Sequence, residues 1–272
     1  MKLTFWKMHG LGNDFIVLDS RRSGYVPDSA TAARLCHRHF GIGADQILAL
    51  LRSKVADYRM VILNSDGGEV EMCGNGIRCL ALFLRQRRIS RKRRFRIETL
   101  AGIIAPEIIG KQVRVDMGEP VFEPSRIPVG LTEAPLNRLL EVDGNRFFIT
   151  ALSMGNPHCV IPVDDVEGVP LPQLGPRFER HPWFPRRTNV EFVQGLSRRH
   201  LKVRVWERGA GETLACGTGA CAVLVAMVKL GQAERKATVS LPGGDLEIEW
   251  AKSNHVLMTG PAEMVFQGSI EI

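Results

Sequence analysis

The stretch Leu63-Asn-Ser-Asp-Gly-Gly-Glu-Val-Glu-Met-Cys73-Gly-Asn-Gly76 has a counterpart later in the chain, Trp206-Glu-Arg-Gly-Ala-Gly-Glu-Thr-Leu-Ala-Cys216-Gly-Thr-Gly219. With the two cysteines aligned, at a separation of 143 residues, identical residues in the second copy match Gly68, Glu69, Gly74 and Gly76. A single Cys-Gly-x-Gly match is weak evidence. The shared order of acid, cysteine and glycines indicates a duplicated unit, since a fixed period is the mark of repeated structure.

Other landmarks keep the same separation. Gly12-Asn13 matches Gly155-Asn156, and Gln46 matches Asn189. After the cysteine segments the separation becomes 142, as between Gly102 and Gly244, which one deletion in the second half explains. We therefore predict two homologous lobes, residues 1–118 and 119–261, with a tail of residues 262–272 that could pack on the first. The competing interpretation is one continuous domain with coincidental glycines.

Each half has the pattern of a mixed α+β unit. The apolar runs 77–87 and 220–230 directly follow the two cysteines and predict one mostly buried helix per half. Alternating or glycine-punctuated segments predict strands and hairpins at residues 58–63, 96–116, 201–206 and 238–259. The predicted fold class is α+β, with two homologous, strand-rich lobes, each built around a central helix.

The composition is that of a soluble globular protein. Of the 272 residues, 44% are hydrophobic and 24% are charged. No apolar run reaches the roughly 18 residues needed to cross a bilayer, so we expect no membrane association. The first residues lack the apolar core of a signal peptide, which favours a cytoplasmic protein whose six cysteines are reduced.

The net charge of +7 is concentrated in residues 85–96, where eight of twelve residues are arginine or lysine. Such a patch could bind nucleic acid. It is also typical of the solvated end of a helix and the loop after it, where cations suit the helix dipole. Because the segment lacks interleaved stacking aromatics, we favour the second interpretation and expect no nucleic-acid partner.

Cys73 and Cys216 each precede a predicted helix. A helix start carries unpaired N–H groups and a partial positive charge, so we expect it to lower the pKa of each thiol. The glycines that follow leave those N–H groups open to a bound carboxylate. One thiolate could then remove an α-proton while the other thiol supplies a proton to the opposite face, which inverts the carbon without metal or cofactor.

The remaining cysteines fit apolar core positions better. Cys36 is followed by His37 and His39, which admits a metal site, but a buried cysteine with two surface histidines is the simpler interpretation. A nucleotide site is disfavoured because neither glycine turn continues into Lys-Ser/Thr. A cysteine hydrolase would need a histidine base shared by the halves, and His158 has no such counterpart.

The motifs resemble those of the diaminopimelate epimerase family over nearly the whole chain. The matching segments are Lys7-Met-His-Gly-Leu-Gly-Asn-Asp-Phe15, Gly41-Ile-Gly-Ala-Asp-Gln46, Cys73-Gly-Asn-Gly-Ile-Arg78, Met154-Gly-Asn-Pro-His158, Thr188-Asn-Val-Glu191 and Glu207-Arg-Gly-Ala-Gly-Glu-Thr-Leu-Ala-Cys-Gly-Thr-Gly219. The resemblance implies two pseudo-symmetric lobes with the active site in the cleft between them, often assembled as a homodimer. It also implies conversion of LL- to meso-diaminopimelate, for lysine and peptidoglycan precursors, without pyridoxal phosphate or metal.

The same resemblance assigns roles to individual residues. It implies that Cys73 and Cys216 are the acid–base pair and that His158 and Glu207 tune their pKa values. Arg208 would bind the distal carboxylate and Glu207 the distal ammonium. The remaining substrate-binding residues implied are Asn13, Gln46, Asn64, Gly74, Asn75, Asn156, Asn189, Gly217 and Thr218.

Two alternatives stay open at this stage. A proline or hydroxyproline racemase would share two opposed cysteines, but it has no use for the acid and base of Trp206-Glu-Arg. A non-catalytic relative that binds a ligand is disfavoured because both cysteines are retained.

Overall fold

The computed structural model describes residues 2–133 and 135–272. The chain divides into two units. The N-terminal lobe comprises Met1–Asp116 and Thr259–Ile272, and the C-terminal lobe comprises Met117–Met258.

The N-terminal lobe is a strand-rich unit with two helices. Its elements are β1 (Lys2–Gly10), β2 (Asn13–Asp19), α1 (Ser29–Cys36), β3 (Gln46–Leu51), β4 (Tyr58–Asn64), β5 (Glu69–Val70), α2 (Gly74–Gln86), β6 (Ile97–Thr99), β7 (Gly102–Ile104), β8 (Glu107–Ile109) and β9 (Gln112–Asp116). The main sheet has the order β1-β2-β3-β4-β6-β7, and β5 pairs with β4 to one side.

The C-terminal lobe has the same composition of elements. They are β10 (Arg138–Val142), β11 (Asn145–Ser153), β12 (Pro157–Pro162), α3 (Leu171–Glu179), β13 (Asn189–Ser197), β14 (His200–Glu207), β15 (Gly211–Thr213), α4 (Gly217–Lys229), β16 (Lys236–Leu241), β17 (Gly244–Trp250) and β18 (Val256–Gly260), with a 3₁₀ turn at Pro124–Arg126. Its sheet runs β10-β11-β12-β13-β14-β16-β17-β18, and β15 pairs with β14 to one side.

The two sheets share one topology. In each lobe an antiparallel pair leads into a parallel pair, β2 with β3 and β12 with β13. A second parallel pair brackets the central helix in each lobe, β4 with β6 and β14 with β16. Because parallel neighbours need a crossover, α1 and α3 serve the first pair and α2 and α4 the second. The predicted α+β class with two strand-rich lobes is confirmed.

The last strand, β19 (Glu263–Glu271), belongs to the N-terminal lobe. It pairs antiparallel with β1, from Lys2 opposite Glu271 to His9 opposite Glu263. Ile270 and Ile272 pack against an apolar cluster that includes Ile16, Ile47 and Val61. The C-terminal segment therefore completes both the sheet and the core of that lobe.

The helices α2 and α4 are mostly buried. Each has thirteen residues, of which ten are buried. The surface of α4 is mostly apolar, as is usual for a helix buried on nearly all sides, whereas α2 also buries Asn75 and Arg78, which hydrogen-bond to each other. Both begin three residues before the predicted start, directly after Cys73 and Cys216. No helix in the described part of the chain is long and apolar enough to span a membrane.

The arginine-rich segment follows the end of α2 and is mostly exposed, as the helix-end interpretation predicts. Arg85 Nη1 donates to the carbonyl of Arg91 at 3.0 Å, and Lys92 pairs with Asp57 at 2.6 Å. Phe95 is fully buried and anchors the segment.

Candidate active site

Cys73 is the N-cap residue of α2. Its backbone is extended (φ −139°, ψ 115°), and its sulfur accepts a hydrogen bond from the Gly76 N–H at 3.4 Å. A Cβ at Gly76 would lie 3.1 Å from Leu48 and 3.4 Å from Phe15, so a glycine here lets the helix start pack closely against these two side chains. The half-buried sulfur therefore lies against the open N–H groups of a helix start, as the sequence predicts.

Asn13 and Asn75 lie beside Cys73. The Cys73 sulfur is 3.8 Å from Asn13 Oδ1, which also accepts from Asn75 Nδ2 at 3.1 Å. Asn75 Oδ1 in turn accepts from Arg78 Nη2 at 2.9 Å, and the fully buried Arg78 also donates to the carbonyl of Gly74. Arg78 thus fixes the amide orientation of Asn75, a role that the sequence analysis missed.

A network of charged side chains fixes the orientation of the Asn13 amide. Asn13 Nδ2 donates to Asp45 Oδ2 at 2.8 Å, and Arg38 bridges Asp45 and Asp14 at 2.6 and 2.9 Å. Lys7 pairs with Asp14 at 2.6 Å. Burial raises the pKa of Asp14, but hydrogen bonds and charges from Arg38 and Lys7 outweigh it and lower the pKa to about 2. The matching motifs contained Lys7, Asp14 and Asp45, but only the fold brings Arg38 to them.

Gln46 and Asn64 form a second polar pair in the N-terminal lobe. They lie opposite each other on β3 and β4, and Gln46 Nε2 donates to Asn64 Oδ1 at 2.8 Å. Gln46 Oε1 is buried without a hydrogen-bond partner. A buried acceptor without a partner is costly, so this oxygen is suited to bind a donor on a ligand.

Cys216 has the corresponding position in the C-terminal lobe, as the N-cap residue of α4. It is only 5% exposed, and its sulfur is 3.6 Å from Thr218 Oγ1. Burial raises the pKa of this thiol well above its usual value, and the carboxylates of Glu207 and Glu191 raise it further. The prediction of a lowered pKa is therefore wrong for Cys216, because loss of hydration and two nearby acids outweigh the effect of the helix start.

His158 and Glu191 form a buried pair near Cys216. His158 Nδ1 is 2.7 Å from Glu191 Oε1, and both side chains are wholly inaccessible. Burial raises the pKa of Glu191, and its Oε2 has no hydrogen-bond partner. At the matching positions, 143 residues earlier, the N-terminal lobe has Phe15 and Leu48. The two cysteines thus have equivalent backbone positions, but only Cys216 has a buried acid and histidine at these two neighbouring positions.

Asn156 and Thr218 connect that pair to the sulfur. His158 Nε2 is 2.9 Å from Asn156 Oδ1, and Asn156 Nδ2 donates to Thr218 Oγ1 at 3.4 Å. Gly217 lies between Cys216 and Thr218 as the first residue of α4. The predicted residues Asn156, His158, Gly217 and Thr218 therefore lie together around Cys216.

Glu207 and Arg208 lie at the end of β14. The backbone N–H of Arg208 donates to Asn189 Oδ1 at 2.9 Å, and Asn189 Nδ2 donates to the carbonyl of Pro157 at 2.9 Å. Thr213 donates to Glu207 Oε1 at 2.6 Å. Asn189 therefore orients the turn, which presents one acidic and one exposed basic side chain side by side.

Glu179, at the end of α3, supports this turn and was not predicted. Its buried carboxylate accepts from Trp206 Nε1 at 2.8 Å and from the Gly209 N–H at 3.1 Å. No motif marks Glu179 in the sequence, because its role depends on how α3 packs on β14 and β15.

Among residues 2–133 and 135–272, no group of three or more His, Cys, Asp or Glu side chains could hold a metal ion. None of the described cysteines forms a disulfide bond. One cysteine at a helix start in each lobe can therefore act as an acid, a base or a nucleophile.

Solved structures with the same fold define a class of protein. The chain is similar to a Bacillus anthracis phenazine biosynthesis protein of the PhzF family, with a TM-score of 0.74 and 18% identity over 100% of both chains. It is also similar to a hydroxyproline epimerase from Agrobacterium vitis, with a TM-score of 0.69 and 13% identity over 99% of this chain and 92% of that one. At these identities the likeness shows the fold alone, a two-lobed α+β fold.

Sequence comparison then identifies the family. The family model described as diaminopimelate epimerase matches residues 5–123 and 150–265. The chain is 53% identical to the diaminopimelate epimerase of Synechocystis sp. over 100% of both chains. It is also 53% identical to that of Carboxydothermus hydrogenoformans over 98% of both. The chain belongs to the diaminopimelate epimerase family.

Proposed function

We propose that this protein epimerises LL-2,6-diaminopimelate to meso-diaminopimelate, without pyridoxal phosphate, by the action of two cysteines. Membership of the family supports the reaction and its place in lysine and peptidoglycan precursor synthesis. The observation that carries the mechanism is the cysteine at the N-cap of the central helix in each lobe.

The proposed reaction is a proton exchange at one carbon. One cysteine, as thiolate, takes the α-proton and becomes a thiol. The other, as thiol, gives its proton to the opposite face and becomes a thiolate, so charge and protons balance. The raised pKa of Cys216 supports its assignment as the acid in the substrate-free protein.

The helix starts supply the electrostatic part of the mechanism. Gly74 and Asn75 begin α2, and Gly217 and Thr218 begin α4, so their N–H groups lie at the partially positive start of a helix. We assign these residues to the carboxylate of the reacting carbon. Removing the α-proton places negative charge on that carboxylate, which fixed N–H dipoles stabilise.

The distal L-centre is assigned to polar groups outside the cysteine turns. Arg208 would bind its carboxylate and Glu207 its ammonium, with Asn189 holding their turn. Asn13, Gln46, Asn64 and Asn156 complete the substrate set, and the unpaired oxygen of Gln46 supports a role as acceptor. An amino acid without the distal group leaves this pair of charges unmatched, which gives specificity.

The function is tested by solvent exchange. Purified protein in heavy water, with reductant and without pyridoxal phosphate, is expected to incorporate deuterium at the α-carbon of LL-diaminopimelate while the meso isomer forms. Mass spectrometry and chiral chromatography measure the two events. Absence of both would refute the proposal.

The runner-up function is racemisation of proline or hydroxyproline. Its support is the fold shared with a hydroxyproline epimerase. Proline and hydroxyproline in the same exchange assay separate the two functions, because the proposed enzyme leaves both unexchanged.

We also propose a cytoplasmic homodimer, as the family resemblance implies. Sedimentation equilibrium should give twice the chain mass of 30.2 kDa. A monomer at micromolar concentration would contradict the assembly without affecting the assigned chemistry.

A further inference from the structure

Glu191 is a buried acid that the proposed reaction does not use. Its side chain lies on β13, is fully buried and has one oxygen without a partner. Removing a carboxyl group from water is costly, so a wholly buried acid requires an explanation. The N-terminal lobe has leucine at the matching position, Leu48, so the shared fold does not need an acid there.

The acid forms one end of a continuous chain of hydrogen bonds. Glu191 Oε1 is 2.7 Å from His158 Nδ1, and His158 Nε2 is 2.9 Å from Asn156 Oδ1. Asn156 Nδ2 is 3.4 Å from Thr218 Oγ1, which is 3.6 Å from the Cys216 sulfur. These four contacts connect Glu191 to the Cys216 sulfur.

The direction of the chain follows from the number of protons on each group. Asn156 turns its oxygen to His158 and its NH₂ to Thr218, so the ring must carry a proton on Nε2. Thr218 then accepts from Asn156 and keeps its own hydroxyl proton for the sulfur. A ring that carried its only proton on Nδ1 would reverse every step and leave the sulfur to donate.

We propose that Glu191 is a positioning residue of the reaction: it shares a proton with Nδ1 of His158 and so fixes the direction of the hydrogen-bond chain that ends on the Cys216 sulfur. The proposal rests on the proposed function only for the meaning of Cys216 as a catalytic residue. The proton lies between Glu191 Oε1 and Nδ1, and in either position Nε2 keeps its own hydrogen.

The electrostatic surroundings are consistent with a shared proton. The titratable groups whose charges interact with Glu191 are His158 on β12, Glu207 on β14 and Cys216 at the start of α4. Cys159, the neighbour of His158, senses the charge of Glu191 from the opposite face of the sheet. Burial raises the pKa of Glu191, and the Glu207 carboxylate raises it further, against the opposing effect of His158. At Cys216 burial raises the thiol pKa most, while the Thr218 hydrogen bond lowers it. The chain therefore favours the thiolate form of a sulfur that its burial disfavours.

The test compares two substitutions at Glu191. In Glu191→Gln the amide NH₂ can still donate to Nδ1 and hold the ring proton on Nε2. In Glu191→Leu, which copies Leu48, nothing binds Nδ1. The readout is the rate at which iodoacetamide alkylates Cys216, followed by peptide mass spectrometry across pH, with Cys73 in the same digest as internal reference. This measurement needs no substrate, so it is independent of the exchange assay.

The expected result is a split between the two variants. Glu191→Gln alkylates Cys216 within about threefold of the wild-type rate, whereas Glu191→Leu slows it by at least about tenfold, the effect of one unit in thiol pKa. Cys73 is unaffected in both. The long-range ¹H–¹⁵N spectrum of His158 keeps its Nε2–H pattern in Glu191→Gln and loses it in Glu191→Leu.

Other results would overturn the proposal. If Glu191 acts only as a nearby charge, both variants alkylate Cys216 faster, and if it has no link to the sulfur, neither changes the rate. Should Glu191→Leu fail to fold, the double variant His158→Phe/Glu191→Leu replaces it, because Phe15 and Leu48 occupy these positions in the other lobe. Slow alkylation there supports the proposal and a wild-type rate refutes it. Cys159→Ala, a core residue on the same strand as His158, is the matched control and leaves the rate unchanged.

Discussion

Cys73 and Cys216 occupy the same backbone position in their lobes but differ in their surroundings. The sulfur of Cys73 accepts from the Gly76 N–H near Phe15 and Leu48, whereas Cys216 is almost fully buried near two carboxylates. A two-base mechanism needs one thiolate and one thiol at a time. Unequal surroundings provide that difference without breaking the symmetry of the fold.

Replacement of either cysteine by alanine is therefore expected to abolish epimerisation. Cys73→Ala and Cys216→Ala should each lower the rate of meso-diaminopimelate formation by at least about 1000-fold, since each removes a proton donor or acceptor. Cys36→Ala, a core cysteine whose burial raises its pKa to about 11, is the control and should retain turnover. Wild-type turnover by either of the first two variants would rule out two bases.

Asp14 gives a prediction about pH and stability. Arg38 and Lys7 hold its pKa near 2, below the usual 3.8, so the folded state favours the ionised form. A depressed pKa contributes stability above the unfolded value, and that contribution is lost as pH falls from about 4 to about 2. We expect Asp14→Asn to cost about 2 kcal/mol near neutral pH.

Urea unfolding at several pH values measures this cost. The difference in unfolding free energy between wild type and Asp14→Asn should shrink as the pH is lowered through that window. A difference that stays constant would mean that packing of the side chain, and not its charge, is what the substitution removes.

At the scale of elements, α3 packs so closely on β14 that Gly175 cannot carry a side chain. A Cβ there would lie 2.4 Å from the ring of Trp206, which is itself held by Glu179. Trp206 directly precedes Glu207 and Arg208, so any shift of the ring is passed to the predicted substrate-binding turn. This glycine connects the position of a helix to the geometry of the site.

Gly175→Ala is expected to lower the unfolding free energy by about 1–3 kcal/mol, the usual cost of an overpacked contact. It should also raise KM for diaminopimelate. Gly195→Ala is the matched control, because its Cβ would meet only Met227 at an ordinary 3.8 Å. Equal stability of the two variants, measured by thermal unfolding, would show that α3 adjusts without cost.

The sequence predicts the central helices well. It does not predict the strand order or the contacts between residues far apart in the chain, and the reasons are physical. The Cys-Gly-x-Gly turns predict α2 and α4 because a helix start has a local chemical pattern. The strand order and the C-terminal strand on β1 depend on pairing between distant segments, which no local pattern shows. The same holds for Glu179 and Arg38, whose partners lie 27 and 24 residues away.

One comparison could have been made from the sequence alone. The separation of 143 residues matches His158 with Phe15 and Glu191 with Leu48. The same separation matches Glu207 with Asn64, which is a further difference between the halves. The sequence does not show that His158 and Glu191 are both fully buried. Burial is what makes the pair unusual, because removing an acid from water is costly.

At the scale of the whole molecule, the chain divides into two units, and its last strand returns to the first unit. β19 covers the edge of β1 and places Ile270 and Ile272 on the N-terminal core. An uncovered strand exposes its N–H and C=O groups and the apolar side chains beneath. The stability of the N-terminal lobe therefore depends on residues at the far end of the chain.

Deletion of residues 263–272 is expected to destabilise the N-terminal lobe by at least about 2 kcal/mol, since it removes strand pairing and buried apolar area. Hydrogen exchange measured by mass spectrometry should show lost protection in β1, β2 and β3, while β12, β13 and β14 keep theirs. Val265→Ser is the control, because Val265 lies on the same strand but is 58% exposed, and its effect should stay within about 0.5 kcal/mol. Equal loss of protection in both lobes would show that they unfold as one unit, which would contradict the prediction.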